Sequence, residues 1–180
     1  MLMASTTNHP LDFAFRVIES VAFALHALLG ISEPLTGCLQ TVFRDPDNPH
    51  LWPVAGCVLA LVSWGNFYFD DNIVILLAIQ WYIVAFHFGA IWYHIRLGHH
   101  PAVGLAPGMF IPIALTVIGI RLQSNPSRWW LCQSYIVLPV GTVACAAVSH
   151  VFCRILVKKP PSLGSPNNDD GSSDNQPLLR

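Results

Sequence analysis

A chain of 180 residues that is 53% hydrophobic and only 11% charged does not have the composition of a water-soluble domain, in which about 25% of residues carry charge. Its net charge of −1 leaves no basic footprint for nucleic acid, which is therefore not expected as a partner. The length fits one domain, and the five cysteines (Cys38, Cys57, Cys132, Cys145, Cys153) form no CxxC pair and no metal-ligand spacing, so neither a disulfide framework nor a metal centre is expected.

The apolar character is concentrated. From Pro10 to Val157 the only basic residues besides histidine are Arg16, Arg44, Arg96, Arg121, Arg128 and Arg154. A spanning helix needs about 20 mostly apolar residues, and five segments approach this. The first, about Phe13 to Leu35, follows a start that lacks the basic region and cleavage site of a signal peptide, so it is expected to stay as a membrane helix. The second runs from about Leu51 to Phe69. The third, Ile73 to Ile95, opens on Asp70-Asp71-Asn72, residues suited to cap a helix N-terminus. The fourth, Ala106 to Ile120, is short and holds Pro107 and Pro112. The fifth, Trp129 to Val157, is long enough to cross with tilt, and Pro139 is a candidate kink. The expected fold is an all-α polytopic transmembrane bundle. It has a short N-terminal segment (1–12), a four-helix region (13–122), one additional helix (129–157) and a polar tail (158–180).

Aromatic residues at the segment ends, among them Trp52, Trp64, Tyr68, Trp92 and Tyr93, suit the headgroup layer. Short connections imply antiparallel neighbours. With five spans, Arg44, Arg96, Arg154, Lys158 and Lys159 fall on one side, and Arg16, Arg121 and Arg128 on the other. The positive-inside rule then puts the C-terminal tail in the cytosol and the N-terminus opposite.

Two polar stripes cross this apolar background. Glu19, His26 and Glu33 repeat at intervals of seven in the first helix, and Gln80, His87 and His94 do so in the third. Seven residues are nearly two turns, about 10 Å of rise, so each trio stays near one face. An ionised carboxylate at the centre of a spanning helix costs about 3 kcal/mol, so such stripes are expected to face the bundle interior and each other. The first and third helices run parallel, which sets Glu19 at the depth of Gln80, His26 at that of His87, and Glu33 at that of His94. Two readings stand side by side. The stripes are either interhelical hydrogen bonds that fix register, or the wall of an intramembrane polar cavity, completed by Arg96, that handles a proton or a small ligand such as a quinone. No cofactor fingerprint or catalytic nucleophile motif points to an enzyme. His99-His100 reads as a solvated interfacial pair.

The stretch Gly89-Ala90-x-x-x-His94-x-Arg96-x-Gly98 at the end of the third helix resembles the DoxX-like family of small membrane proteins. Its two small residues are expected to let a neighbouring helix approach, and Gly98 to stop the helix. Leu51-Trp52-Pro53-Val54-Ala55-Gly56 resembles that family's second-helix start, and Leu29-Gly30-Ile31-Ser32-Glu33-Pro34-Leu35-Thr36 the end of its first. The family usually has a Lys-Leu pair there, and Glu33-Pro34 stands in its place. The resemblance covers roughly Phe13 to Leu122 and implies a four-helix bundle. Some members resemble subunits of quinone-linked redox complexes, and others are non-enzymatic assembly factors for other membrane proteins. The accessory role is the expectation here, with a quinone-linked subunit as the alternative.

The tail from Pro160 onward is too polar to bury enough area to offset ordering entropy. It ends in Asp174-Asn175-Gln176-Pro177-Leu178-Leu179-Arg180. The acidic residue followed at this interval by two leucines resembles the dileucine signal read by clathrin adaptors, which implies an endosomal, lysosomal or vacuolar membrane.

Overall fold

The computed structural model describes residues 9–37, 51–124 and 128–156, and among these the chain is entirely helical and turn, without a strand. Helix α1 spans Pro10–Thr36, α2 Leu51–Tyr68 and α3 Ile73–Arg96; a 3-10 turn at Pro101–Gly104 runs straight into α4, Leu105–Gln123; α5 spans Arg128–Leu156. Pro10–Thr36, Ile73–Arg96, Pro101–Gln123 and Ile136–Ile155 are long and apolar enough to cross a membrane. The 18 residues of α2 add about 27 Å of helix laid along α1. The chain is thus an all-helical bundle of membrane-spanning character.

Local chemistry sets the helix limits. Proline begins α1 in the first turn, where its missing N–H costs no hydrogen bond. Gly37, with φ 58°, closes the helix by donating its N–H to Glu33 O at 2.9 Å. Of the acidic-amide triplet before α3, only Asn72 caps it, its side chain accepting from Ile75 N at 3.2 Å. Gly98, with φ 71°, takes the left-handed conformation that an L side chain resists. Pro112 inside α4 withholds an N–H, and Thr116 Oγ1 donates to the Pro112 carbonyl at 2.7 Å.

Packing orders the helices in a ring, α1 on α2, α2 on α3, α3 on α4 and α4 back on α1, with α5 outside against α3 and α4. Helices α1 and α3 are diagonal: no Cα pair between them lies within 8 Å. Phe23 and Ala27 of α1, Leu59 of α2, Ile83 and Val84 of α3, and Ala114, Ile118 and Leu122 of α4 fill the centre. The tightest crossing is α1 on α2. A Cβ on Gly30 would fall 2.7 Å from Trp52 O, and one on Gly56 would fall 2.8 Å from Ala27 O. These two glycines allow backbone to meet backbone, the usual device where hydrophobicity cannot drive helix association. Gly89, expected from sequence to serve such a contact, does not: a Cβ there meets nothing within 4 Å. The outward surface is apolar, with Leu28, Leu35, Val143 and Ile155 exposed.

Candidate functional site

The bundle has a near end, where α1 and α3 begin and α2 and α4 finish, and a far end, where α1 and α3 finish. Charge is gathered at the near end. Asp12 and Arg16 lie one turn apart on α1 and pair at 3.1 Å. Arg121, in the last turn of α4, reaches Asp12 with two bonds, Nε to Oδ1 at 2.9 Å and Nη2 to Oδ2 at 2.6 Å. Asp70, between α2 and α3, bonds Arg16 at 2.6 Å and Arg121 at 2.5 Å. The four side chains form a closed ring of alternating charge. Arg16 and Asp12 are almost fully buried, at 2% and 1% exposure. Paired and hydrogen-bonded charges are the form in which such groups persist away from water.

One step deeper lies a second polar layer. Gln80 Nε2 on α3 donates to Glu19 Oε2 at 2.8 Å and to Asn66 Oδ1 on α2 at 2.9 Å. Asn66 Nδ2 lies 3.3 Å from the same Glu19 oxygen. Arg16 Nη1 also donates to the Asn66 carbonyl at 2.6 Å. These contacts tie α1, α2 and α3 across the bundle diagonal. Ser63 Oγ donates to Ser20 O at 2.8 Å and continues the seam between α1 and α2.

The far half is built differently. A chamber of about 580 Å³ opens between α1 and α3, with α2, α4 and α5 completing its wall. Gly30, Gly56, Gly89 and Ala90 leave room, and Trp52, Phe86 and Phe110 supply flat apolar surface. His26, His87 and His94 are its imidazoles. His87 is buried, with its ring stacked on Phe110 at 4.8 Å and 11°. Leu29, Val148 and Phe152 lie on both the rim and the outer surface, so the mouth faces sideways, toward lipid. The volume falls in the range of small-molecule sites, about 300–1,000 Å³.

No protein-family model, curated protein or solved structure matches this chain.

The two stripes of seven are therefore divided between two environments. Glu19 and Gln80 meet, but in the sealed polar layer and outside the chamber. His26, on the exposed side of α1, and buried His87 both line the chamber across the diagonal. The chamber separates their helices, so the close packing of α1 on α3 implied by facing stripes does not occur. His94 lies at the chamber's far end, its Nδ1 2.9 Å from His99 Nδ1. Glu33 is buried near the end of α1 and is not part of the chamber wall. Arg96 lines a separate recess of about 350 Å³ with Trp92, His150 and Arg154, on the α5 side of α3.

Asp12, Arg16, Asn66, Asp70 and Arg121 were not among the expected site residues. Arg16 and Arg121, counted from sequence in the charge balance of one membrane side, are buried in the ring. This removes them from that balance and leaves Arg128 against Arg44, Arg96, Arg154, Lys158 and Lys159. The tail motif of Asp174, Leu178 and Leu179 lies outside the described residues.

Proposed function

We propose that this protein is a non-enzymatic accessory component of a membrane complex, DoxX-like in its first four helices, and that its chamber receives one small lipid-soluble molecule from the bilayer. The carrying observation is the chamber itself. Membrane helices associate largely through van der Waals packing, and an empty space of this size forfeits those contacts around its whole wall. An occupant restores them. The near-end ring and the glycine crossing of α1 on α2 supply a frame that keeps the space from collapsing.

A second reading has a specific observation in its favour. The two imidazoles facing each other across an apolar chamber suit a ring that carries oxygen, which supports a membrane subunit of a quinone-linked redox complex, with quinone as the bound cofactor. Native mass spectrometry of the gently purified protein tests both. One adduct per chain is expected, absent in Gly89→Phe, which fills the chamber at a position with free space for a side chain. A redox-active extract would favour the quinone-linked reading, and a redox-inert lipid the accessory one. A wild-type protein without adduct would overturn the chamber as a ligand site.

The loop charges support a cytosolic C-terminus. On such a tail Asp174, Leu178 and Leu179 form a sorting signal for clathrin adaptors, directing the protein to an endosomal, lysosomal or vacuolar membrane. Changing Leu178 and Leu179 to Ala should shift it to the cell surface, and an unchanged distribution by microscopy would reject the signal.

A further inference from the structure

The histidines of the chamber have a defined hydrogen-bonding polarity. His87 Nδ1 lies 2.8 Å from the carbonyl oxygen of Ile83, and His26 Nδ1 lies 2.7 Å from that of Ala22, each one turn back on its own helix. A carbonyl oxygen can only accept, so in both rings Nδ1 carries the hydrogen. In the neutral imidazole the other nitrogen, Nε2, is then an acceptor. Neither Nε2 has a hydrogen-bond partner among the described residues. His87 cannot readily turn to exchange its nitrogens, because its ring is stacked on Phe110 and set edge-on to Phe23 at 5.4 Å. Ser149, also on the wall, has already committed its hydroxyl as a donor to Ala85 O at 2.7 Å.

We infer that the chamber selects a hydroxyl-bearing planar ring lipid, whose O–H donates to His87 Nε2 while its ring lies among the aromatic walls. This rests on the reading of the chamber as a ligand site and adds the chemistry of the ligand. A ketone, an ether or an oxidised quinone would set lone pair against lone pair at His87 and would have to find a donor elsewhere. The acceptor, once covered by such a ligand, would stay unsatisfied, which is the costly case. Two sources share the favoured chemistry. A sterol offers one hydroxyl, enough for His87 alone. A hydroquinone offers two on opposite ring edges and can engage His26 on the α1 side as well.

Equilibrium binding to the purified full-length protein separates these cases. The probes are cholesterol against its 3-methyl ether, and short-chain ubiquinol against the matching ubiquinone. The hydroxyl form of at least one pair should bind about two- to tenfold more tightly, the worth of one hydrogen bond. His87→Phe should bring that ratio close to one. A ratio that also falls in His26→Phe identifies the hydroquinone, and one unchanged there identifies the sterol. Should His87→Phe fail to fold, the wild-type ratios alone decide. Equal binding within both pairs, or tighter binding of the ether or quinone, would overturn the inference while leaving the chamber as a ligand site. A native adduct without binding of any probe would also overturn it. Absence of both adduct and probe binding would remove the chamber reading and this inference with it.

Discussion

The Asp12–Arg121 contact joins the first helix to the fourth, and its removal has a worked consequence. Asp12 is 1% exposed and the Arg121 side chain 10%. Their two bonds, 2.9 and 2.6 Å, make a bidentate pair. Replacing Arg121 with Met leaves Asp12 and Asp70 sharing Arg16 alone. Replacing Asp12 with Leu leaves Arg16 and Arg121 sharing Asp70. Each single change strands a buried charge and should cost about 3–5 kcal/mol. The double variant keeps the Arg16–Asp70 pair at 2.6 Å and strands nothing. Its loss should be smaller than that of either single variant, because exchanging a whole buried pair for apolar side chains is often neutral. Additivity would demand about 6–10 kcal/mol. Unfolding of the purified protein by SDS titration, run on all four members of the cycle, reads the coupling. Additive losses would refute the closed ring as an energetic unit.

Gly30→Ala should destabilise the bundle by about 1–3 kcal/mol, because its Cβ meets backbone rather than a side chain that could yield. Gly89→Ala, with open space around the new carbon, should be neutral or stabilising by up to about 1 kcal/mol; thermal unfolding of the two side by side checks the contrast, and equal losses would place the glycine crossing elsewhere. Cysteines placed at 26 and 87 in a cysteine-free background should not form a disulfide, since the two helices have no Cα pair within 8 Å and a disulfide needs about 4.4–6.8 Å. A bifunctional thiol reagent with a long spacer should bridge them through the chamber, and a direct disulfide at high yield would contradict the diagonal arrangement. Tags on the two termini should be protected from protease on opposite sides of the membrane, with the C-terminus cytosolic; protection on the same side would exclude five crossings.

Much of this architecture is legible in the residues. Runs such as Ile73 to Ile95 announce helices by apolar length alone, and Asn72 and Gly98 mark their ends. The meeting of Glu19 with Gln80 follows from equal depth on parallel helices. The fate of His26 shows why a repeat of seven is an incomplete guide. At about 100° per residue, the buried residues of α1 run from about 40° on one side of Glu19, at Glu33, to about 100° on the other, at Ser20, and His26, about 20° from Glu19 on the Glu33 side, falls within that arc. It is exposed nonetheless, because at its level the inner face of α1 borders the chamber instead of a packed neighbour. The ring was hidden by the counting rule itself. Positive-inside bookkeeping treats every Lys and Arg near a helix end as facing water, so Arg16, inside the first helix, and Arg121, just past the fourth, were both counted toward one membrane side. A usable signal was present: Asp12, Arg16 and Glu19 follow the i, i+4, i+7 spacing of one helix face. Such a stripe would have placed Arg16 inward. The diagonal placement of α1 and α3 carries no sequence mark, because it depends on the crossing at Gly30 and Gly56 and on where α4 docks.

The alternating ring also sets a timetable for synthesis. Helix α1 emerges from the ribosome first, and its Asp12 and Arg16 already neutralise each other within one helical turn. Asp70 arrives after α2 and can share Arg16, which leaves two carboxylates on one guanidinium until Arg121 enters at the end of α4. The half-finished protein is thus worst balanced while α3 and α4 are being inserted, and the last charge to arrive is the one that closes the circuit. Chains halted just before Arg121 should depend on the insertion machinery or a membrane chaperone for longer than chains halted just after it, a difference that crosslinking of stalled nascent chains would register.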